Sequence, residues 1–111
     1  MKYLCLVYMR EQDLAAVPDN DCMAFGETLK ASGRYLAAEA LQGVASATTV
    51  RVRNGRVAMT DGPFAETKEQ LAGFYLIDAR DLDEALEVAA GIPPARVGSI
   101  EVRPVRALSP K

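Results

Sequence analysis

The sequence predicts one α+β domain of the split βαβ type with an inserted β-hairpin, and three observations predict it. Two separate segments, Lys2 to Arg10 and Leu71 to Asp78, are apolar on both alternating faces, as strands at the centre of a covered sheet must be. Each is followed by a segment with helical spacing and its own start and stop signals. Between them, Asn54-Gly55 joins two alternating runs in the manner of a tight hairpin.

In chain order, Lys2 to Arg10 sets Tyr3, Cys5, Val7 and Met9 against Leu4, Leu6 and Tyr8, so neither face suits water. Asp19 to Ser32 follows as a helix: Cys22, Phe25 and Leu29 recur at helical spacing, with Pro18 ahead and Gly33 behind. Arg34 to Leu41 reads as a half-buried strand. "TTVRVRNGRVAMT", Thr48 to Thr60, reads as a hairpin whose Asn54 and Gly55 supply the positive φ angles of a type I′ turn. Leu71 to Asp78 again has two apolar faces, Phe74 and Leu76 on one, Tyr75 and Ile77 on the other. Asp81, with Glu84 three residues on, marks the start of a second helix, whose Leu82, Ala85, Leu86 and Ala89 form one stripe and which Gly91 and Pro93 end. Ser99 to Val105 closes the chain as a strand with Glu101 and Arg103 on one face and Ile100 and Val102 on the other, which suits a sheet edge.

Without the hairpin the order is strand, helix, strand, strand, helix, strand, the ferredoxin-like arrangement, in which the first and third strands form the central pair. Those are the segments with two apolar faces, so pattern and topology agree. Two helices cover only one face of such a sheet, and leaving the other in water exposes more apolar area than a monomer tolerates. A second copy of the same sheet is the simplest cover, and a homodimer is expected. At 111 residues the chain makes a single domain, read here as residues 1–106 with Ala107 to Lys111 as a frayed tail.

Composition narrows the partners. The formal net charge of -2 gives no electrostatic reason to bind nucleic acid. Arg51, Arg53 and Arg56 form the one local basic cluster, a solvated hairpin face or an anion site. No apolar run approaches the roughly 20 residues that span a bilayer, and the first residues read as a strand and not a leader, so no membrane association and a cytoplasmic location are expected. The sequence contains no histidine, which excludes Ser-His-Asp triads, Cys-His pairs and histidine zinc sites. Cys5 and Cys22 lack metal-ligand spacing and read as small buried hydrophobes. Nothing calls for a metal or another cofactor.

The segment "TDGPFAETKEQLAGFYLI", Thr60 to Ile77, carries the longest motif. Together with the opening "MKYLCLVY", "ATTVR" at Ala47 to Arg51, "DLDEAL" at Asp81 to Leu86 and "IEVRP" at Ile100 to Pro104, it closely resembles the DGPF-domain proteins of the YCII-related family over nearly the whole chain. The resemblance implies a dimeric α/β barrel, in which two ferredoxin-like sheets pack face to face around a shared interior. It implies a mostly bacterial group with many uncharacterised members. Some proteins of the wider family look like small-molecule lyases or isomerases with a histidine and aspartate pair, and some DGPF members are similar to proteins encoded beside alternative sigma factors. Lacking histidine, this chain does not inherit that pair.

Asp61-Gly62-Pro63-Phe64 reads first as a rigid turn: aspartate bonds backbone N–H groups two residues on, glycine permits unusual φ, proline fixes the next φ and Phe64 anchors the loop in the core. A turn this rigid is also how a loop holds a carboxylate at a cavity mouth. As a general acid or base Asp61 needs a desolvated carboxyl, which burial beside Phe64 favours; a close Lys68 holds it ionised and makes an ion pair or anion site the more natural use. Glu66, Lys68 and Glu69 also read as a solvated face. Tyr75, on a central strand, is placed to line the barrel interior and bond a ligand, since its hydroxyl needs a partner once buried. Tyr3 and Tyr8 have opposite pleat parity, and only one of them shares a given face. Arg51, Arg53 and Glu39 are weaker candidates. Three functions follow: a small-molecule binding or sensing dimer first, an isomerase or lyase acting through Asp61 second, an accessory protein, such as one linked to a sigma factor, third.

Overall fold

The computed structural model describes residues 1–110. Strands β1 (Lys2–Met9), β2 (Tyr35–Ala40), β5 (Gln70–Asp78) and β6 (Ser99–Pro104) form one antiparallel sheet in the order β2-β5-β1-β6. Helix α1 (Asp19–Ala31) connects β1 to β2, and α2 (Leu82–Gly91) connects β5 to β6. Strands β3 (Thr48–Arg53) and β4 (Arg56–Asp61) make a separate two-stranded sheet. This is the expected split βαβ topology, with β1 and β5 central and β6 at an edge. Three short 3₁₀ segments, Glu11–Ala16, Val44–Ser46 and Pro93–Arg96, were not legible in the pattern. The Glu11 carboxylate ties the first two together by accepting the Val44 N–H at 2.9 Å.

Register sorts the side chains. Tyr3 lies opposite Ile77 and Cys5 opposite Tyr75, so Tyr3, Cys5, Val7, Met9, Tyr75 and Ile77 share one face, and all are buried. Leu29 of α1 and Ala85, Val88 and Ala89 of α2 belong to the same core. At each fully buried position such as Ile77 the burial is worth roughly 1.5–3 kcal/mol. Gly73 lets β2 and β5 pair: a Cβ there would sit 2.7 Å from the Glu39 carbonyl oxygen.

Local signals hold the helices. Asp19 and Asp21 lie in the first turn of α1 and Lys30 in its last, matching the helix dipole. Its end is a Schellman motif: Arg34 N–H donates to the Leu29 carbonyl and Gly33 N–H to that of Lys30, both at 3.1 Å, with Gly33 at φ 76°. In α2, Asp81 Oδ1 accepts the Glu84 N–H at 2.9 Å. Glu84 does not return the bond to Asp81. It accepts the N–H of Arg80 at 3.1 Å, one residue earlier than a capping box requires. The predicted α2 stripe needs correction as well. Ala85, Val88 and Ala89 are buried with Glu84, whereas Leu82 and Leu86 are about half exposed, because the helix presents its small residues to the sheet and its leucines to the rim.

The other sheet face lacks a cover. Leu4 pairs with Leu76 and Leu6 with Phe74, and these side chains and Tyr8 remain partly exposed, with Glu101 and Arg103 beside them on β6. The hairpin stands apart too. Asn54 at φ 52° and Gly55 at φ 73° make its turn as expected. Val50 pairs with Met59 and Val52 with Val57 on one face, all 57–72% exposed. This projecting arm raises the radius of gyration to 15.8 Å, against about 13 Å for a compact chain of this length.

Candidate functional site

A cavity of about 530 Å³ opens between α1 and the β2–β5 side of the sheet, within the size range of small-ligand sites. Val7, Met9, Val17, Ala38 and Ala72 make an apolar lining. From α1, Asp19, Cys22, Met23, Gly26, Glu27 and Lys30 face it, a stripe at three- and four-residue spacing beside the core stripe of Phe25 and Leu29. Gly26 leaves the space open: nothing lies within 4 Å of a Cβ built there.

Tyr75 is the most buried polar side chain of the wall. It is 8% exposed, and its ring meets Phe25 edge-on at 5.6 Å. Its hydroxyl neighbours the Cys22 thiol and has no other hydrogen-bond partner among the described residues. Burial, aided by that thiol, pushes the Tyr75 hydroxyl up to about 12. Burial also pushes the Cys22 thiol up, with Asp19 and Asp21 adding to it against the Tyr75 bond and Arg96. Both groups are therefore neutral at neutral pH. At the rim, Lys30 is held by Glu27 at 3.3 Å and lies 5.0 Å from the centre of the Tyr35 ring.

Tyr75 thus lines a cavity, but not the one expected. Its pairing with Cys5 places it on the helix-covered face, whereas two sheets would meet on the face of Phe74 and Leu76. Tyr3 shares its face and Tyr8 the opposite one, as parity requires. Glu39 lies exposed on β2 opposite Phe74 and borders the same cavity as Tyr75.

The DGPF residues gather elsewhere, at the root of the arm. Gly62, at φ 107°, donates its N–H to the Ala47 carbonyl at 2.7 Å, and its own carbonyl accepts the Thr49 hydroxyl at 3.0 Å. Pro63 is half-buried beside it. Phe64 does not anchor the loop in the core: it is 79% exposed, its ring 5.9 Å from the Arg51 guanidinium, because β4 and the turn run clear of the helix-covered sheet. Asp61 ends β4, exposed, opposite Thr48. Its side chain makes no hydrogen bond or ion pair among the described residues, so the expected self-capping of the turn is absent and the backbone does that work. Lys68 is exposed and forms no ion pair with Asp61; Arg51, half-buried, and Arg53, exposed, lie on the reverse face of the arm. The structure brings Arg51, Gly62, Pro63 and Phe64 together and leaves Tyr75 apart from them. Sequence reasoning missed the α1 wall. Its signal was Gly26, a glycine inside a helical pattern that needed a packing or functional reason.

The family profile of the YCII-related domain matches residues 1–109. This chain belongs to the YCII-related domain family. An uncharacterized protein from Rhizobium meliloti (strain 1021), R00369, is 52% identical over 67 residues, 59% of this chain and 54% of that protein, so the chain spans about half the length of the relative it matches. Among solved structures, the 5-chloro-2-hydroxyhydroquinone dehydrochlorinase of Burkholderia phenoliruptrix AC1100, in complex with 2,5-dihydroxybenzoquinone, is similar in fold. Its TM-score is 0.60 at 18% identity, covering 96% of this chain and 94% of that one. No helix among the described residues is long and apolar enough to cross a membrane.

Proposed function

We propose that this YCII-related domain is a homodimer that binds small, neutral, largely apolar molecules, aromatic rings among them, between α1 and the sheet of each copy. The observation that carries the reading is Tyr75, whose ring is buried in the cavity wall while its hydroxyl, beside the Cys22 thiol, is not sealed from solvent. A hydroxyl open to the cavity with a thiol beside it gains a better partner in a ligand oxygen. The cavity wall carries no unpaired cation to hold a carboxylate or phosphate, since Lys30 is engaged by Glu27 and Tyr35. The fold neighbour's ligand, a small quinone, supports this size and ring chemistry. Dimerisation through the open face of Leu4, Leu6, Tyr8, Phe74 and Leu76, giving a dimeric α/β barrel, removes the apolar surface that one copy leaves in water.

The test is a thermal-shift and fluorescence screen of neutral phenols and quinones beside matched carboxylates. Neutral ligands should stabilise the protein, and Gly26→Phe, which fills the cavity, should abolish the effect. Tyr75→Phe should weaken oxygen-bearing ligands about tenfold, the worth of one hydrogen bond. Binding that ignores Gly26→Phe, or that prefers the carboxylates, would overturn the reading.

A further inference from the structure

Four side chains of the β3–β4 arm, Val50, Val52, Val57 and Met59, form a continuous apolar face that none of the described residues covers. An isolated two-stranded hairpin is marginal in water, and an exposed apolar strand pair invites association. The base of the arm is tied together by the two Gly62 bonds and the Arg51–Phe64 contact, so its two strands hold one shape as a unit. An apolar arm that keeps its own shape is suited to grip something.

The occupant is a second copy, on grounds of area and placement. Four strands about 4.8 Å apart and some 20 Å long present roughly 400 Å² of sheet face, about half of the 800 Å² per partner of a standard interface. Further contact must come from elsewhere, and the arm is the largest uncovered apolar element. It leaves the sheet after β2 and returns into β5, at the end where β2 and β5 also border the cavity. Six-residue strands extend about 20 Å, enough to pass the roughly 10 Å between packed sheets and reach the helix side of the partner. There the cavity mouth shows Leu14, Met23 and Leu41, 38%, 67% and 44% exposed. We infer that in the dimer each arm lies across the partner's cavity mouth, its apolar face on Leu14, Met23 and Leu41, so that each binding site is completed in trans. The DGPF turn then closes the base of the arm and keeps its two strands together. This inference rests on the proposed cavity and dimer, and it adds the partner's contribution.

Complementation between two variants tests it, with the neutral dye Nile red as probe. Gly26→Phe fills the cavity and leaves the arm intact; Met59→Asp puts a charge on the arm and leaves the cavity intact. Met59 is exposed in the single chain, so the fold should survive, and Val57→Asp serves as a second arm variant. Gly26→Phe homodimers should not bind the dye, and Met59→Asp homodimers should bind at least about tenfold more weakly than wild type. Mixed dimers, purified by two tags after co-expression, should regain wild-type affinity at one site per dimer, because the intact arm covers the intact cavity. Mixed dimers as weak as the Met59→Asp homodimer, or an arm charge without effect on dye that Gly26→Phe displaces, overturn the arm and leave the cavity reading standing. Dye binding indifferent to Gly26→Phe overturns the cavity reading itself. Wild type sedimenting as a 12.0 kDa monomer overturns the trans arrangement outright.

Discussion

The four-stranded sheet and the β3–β4 arm use the same alternation, yet Ile77 and Cys5 are fully buried while every apolar side chain of the arm's inner face is more than half exposed. The sheet has two helices packed on one side; the arm has only its own turn and root. The difference teaches that strand pattern specifies which side chains want cover, and that cover itself is a tertiary or quaternary matter. It also divides the molecule. The helix-covered face holds the cavity and Tyr75, while the open face and the arm leave apolar side chains exposed.

Truncation to alanine on the two sides would break this comparison most directly. Ile77→Ala should cost about 2–5 kcal/mol in a denaturant melt, whereas Val57→Ala at concentrations low enough to separate copies should cost under about 0.5 kcal/mol. A comparable loss from both would mean that the arm is covered within its own chain. Next in size, Leu6→Asp on the open face should convert the proposed dimer to a folded monomer of 12.0 kDa in sedimentation with unchanged circular dichroism. An unaffected dimer would move the interface away from the sheet.

A smaller effect concerns pH. Glu84 is buried, and the Arg80 N–H, then the guanidinium groups of Arg34 at 3.3 Å and Arg80 at 3.0 Å, hold its carboxyl below the model-peptide value of 4.5 despite desolvation. A depressed folded value means that the stabilisation is complete above the unfolded value and is lost as pH falls through the folded one. Melting temperature should therefore drop below about pH 4.5, and Glu84→Gln should flatten that part of the profile. An identical acid limb in both would remove Glu84 from the account. Smallest of all, Asp61→Ala and Asp61→Asn should each shift stability by less than about 0.5 kcal/mol, because this exposed side chain makes no bond. A large loss of ligand response with stability kept would instead assign Asp61 to the site, through surface that only the dimer supplies.

Much of this was legible in the chain. The two central strands announced themselves by apolar residues on both faces, Asn54-Gly55 announced the hairpin, and Asp81 announced the start of α2. The site was less legible. Tyr75 was expected to line the interior between two sheets, and the structure buries it on the helix-covered face instead. Parity says which residues share a face and not which face the helices take. Phe64 misled for a related reason: an aromatic next to a rigid turn signals an anchor, and here it stacks on Arg51 in the open.

Sequence by itself determined the local structure: strand, helix and turn positions, strand order, the central pair, and the need for cover on a second face. These follow from backbone preferences and apolar periodicity, which act over a few residues. Only the tertiary structure decided that the helices lie over Cys5 and Tyr75, that a cavity remains beside Gly26, and that the DGPF turn braces the hairpin. Those outcomes depend on how residues far apart in the chain fill shared volume, and volume carries no signature in a one-dimensional pattern.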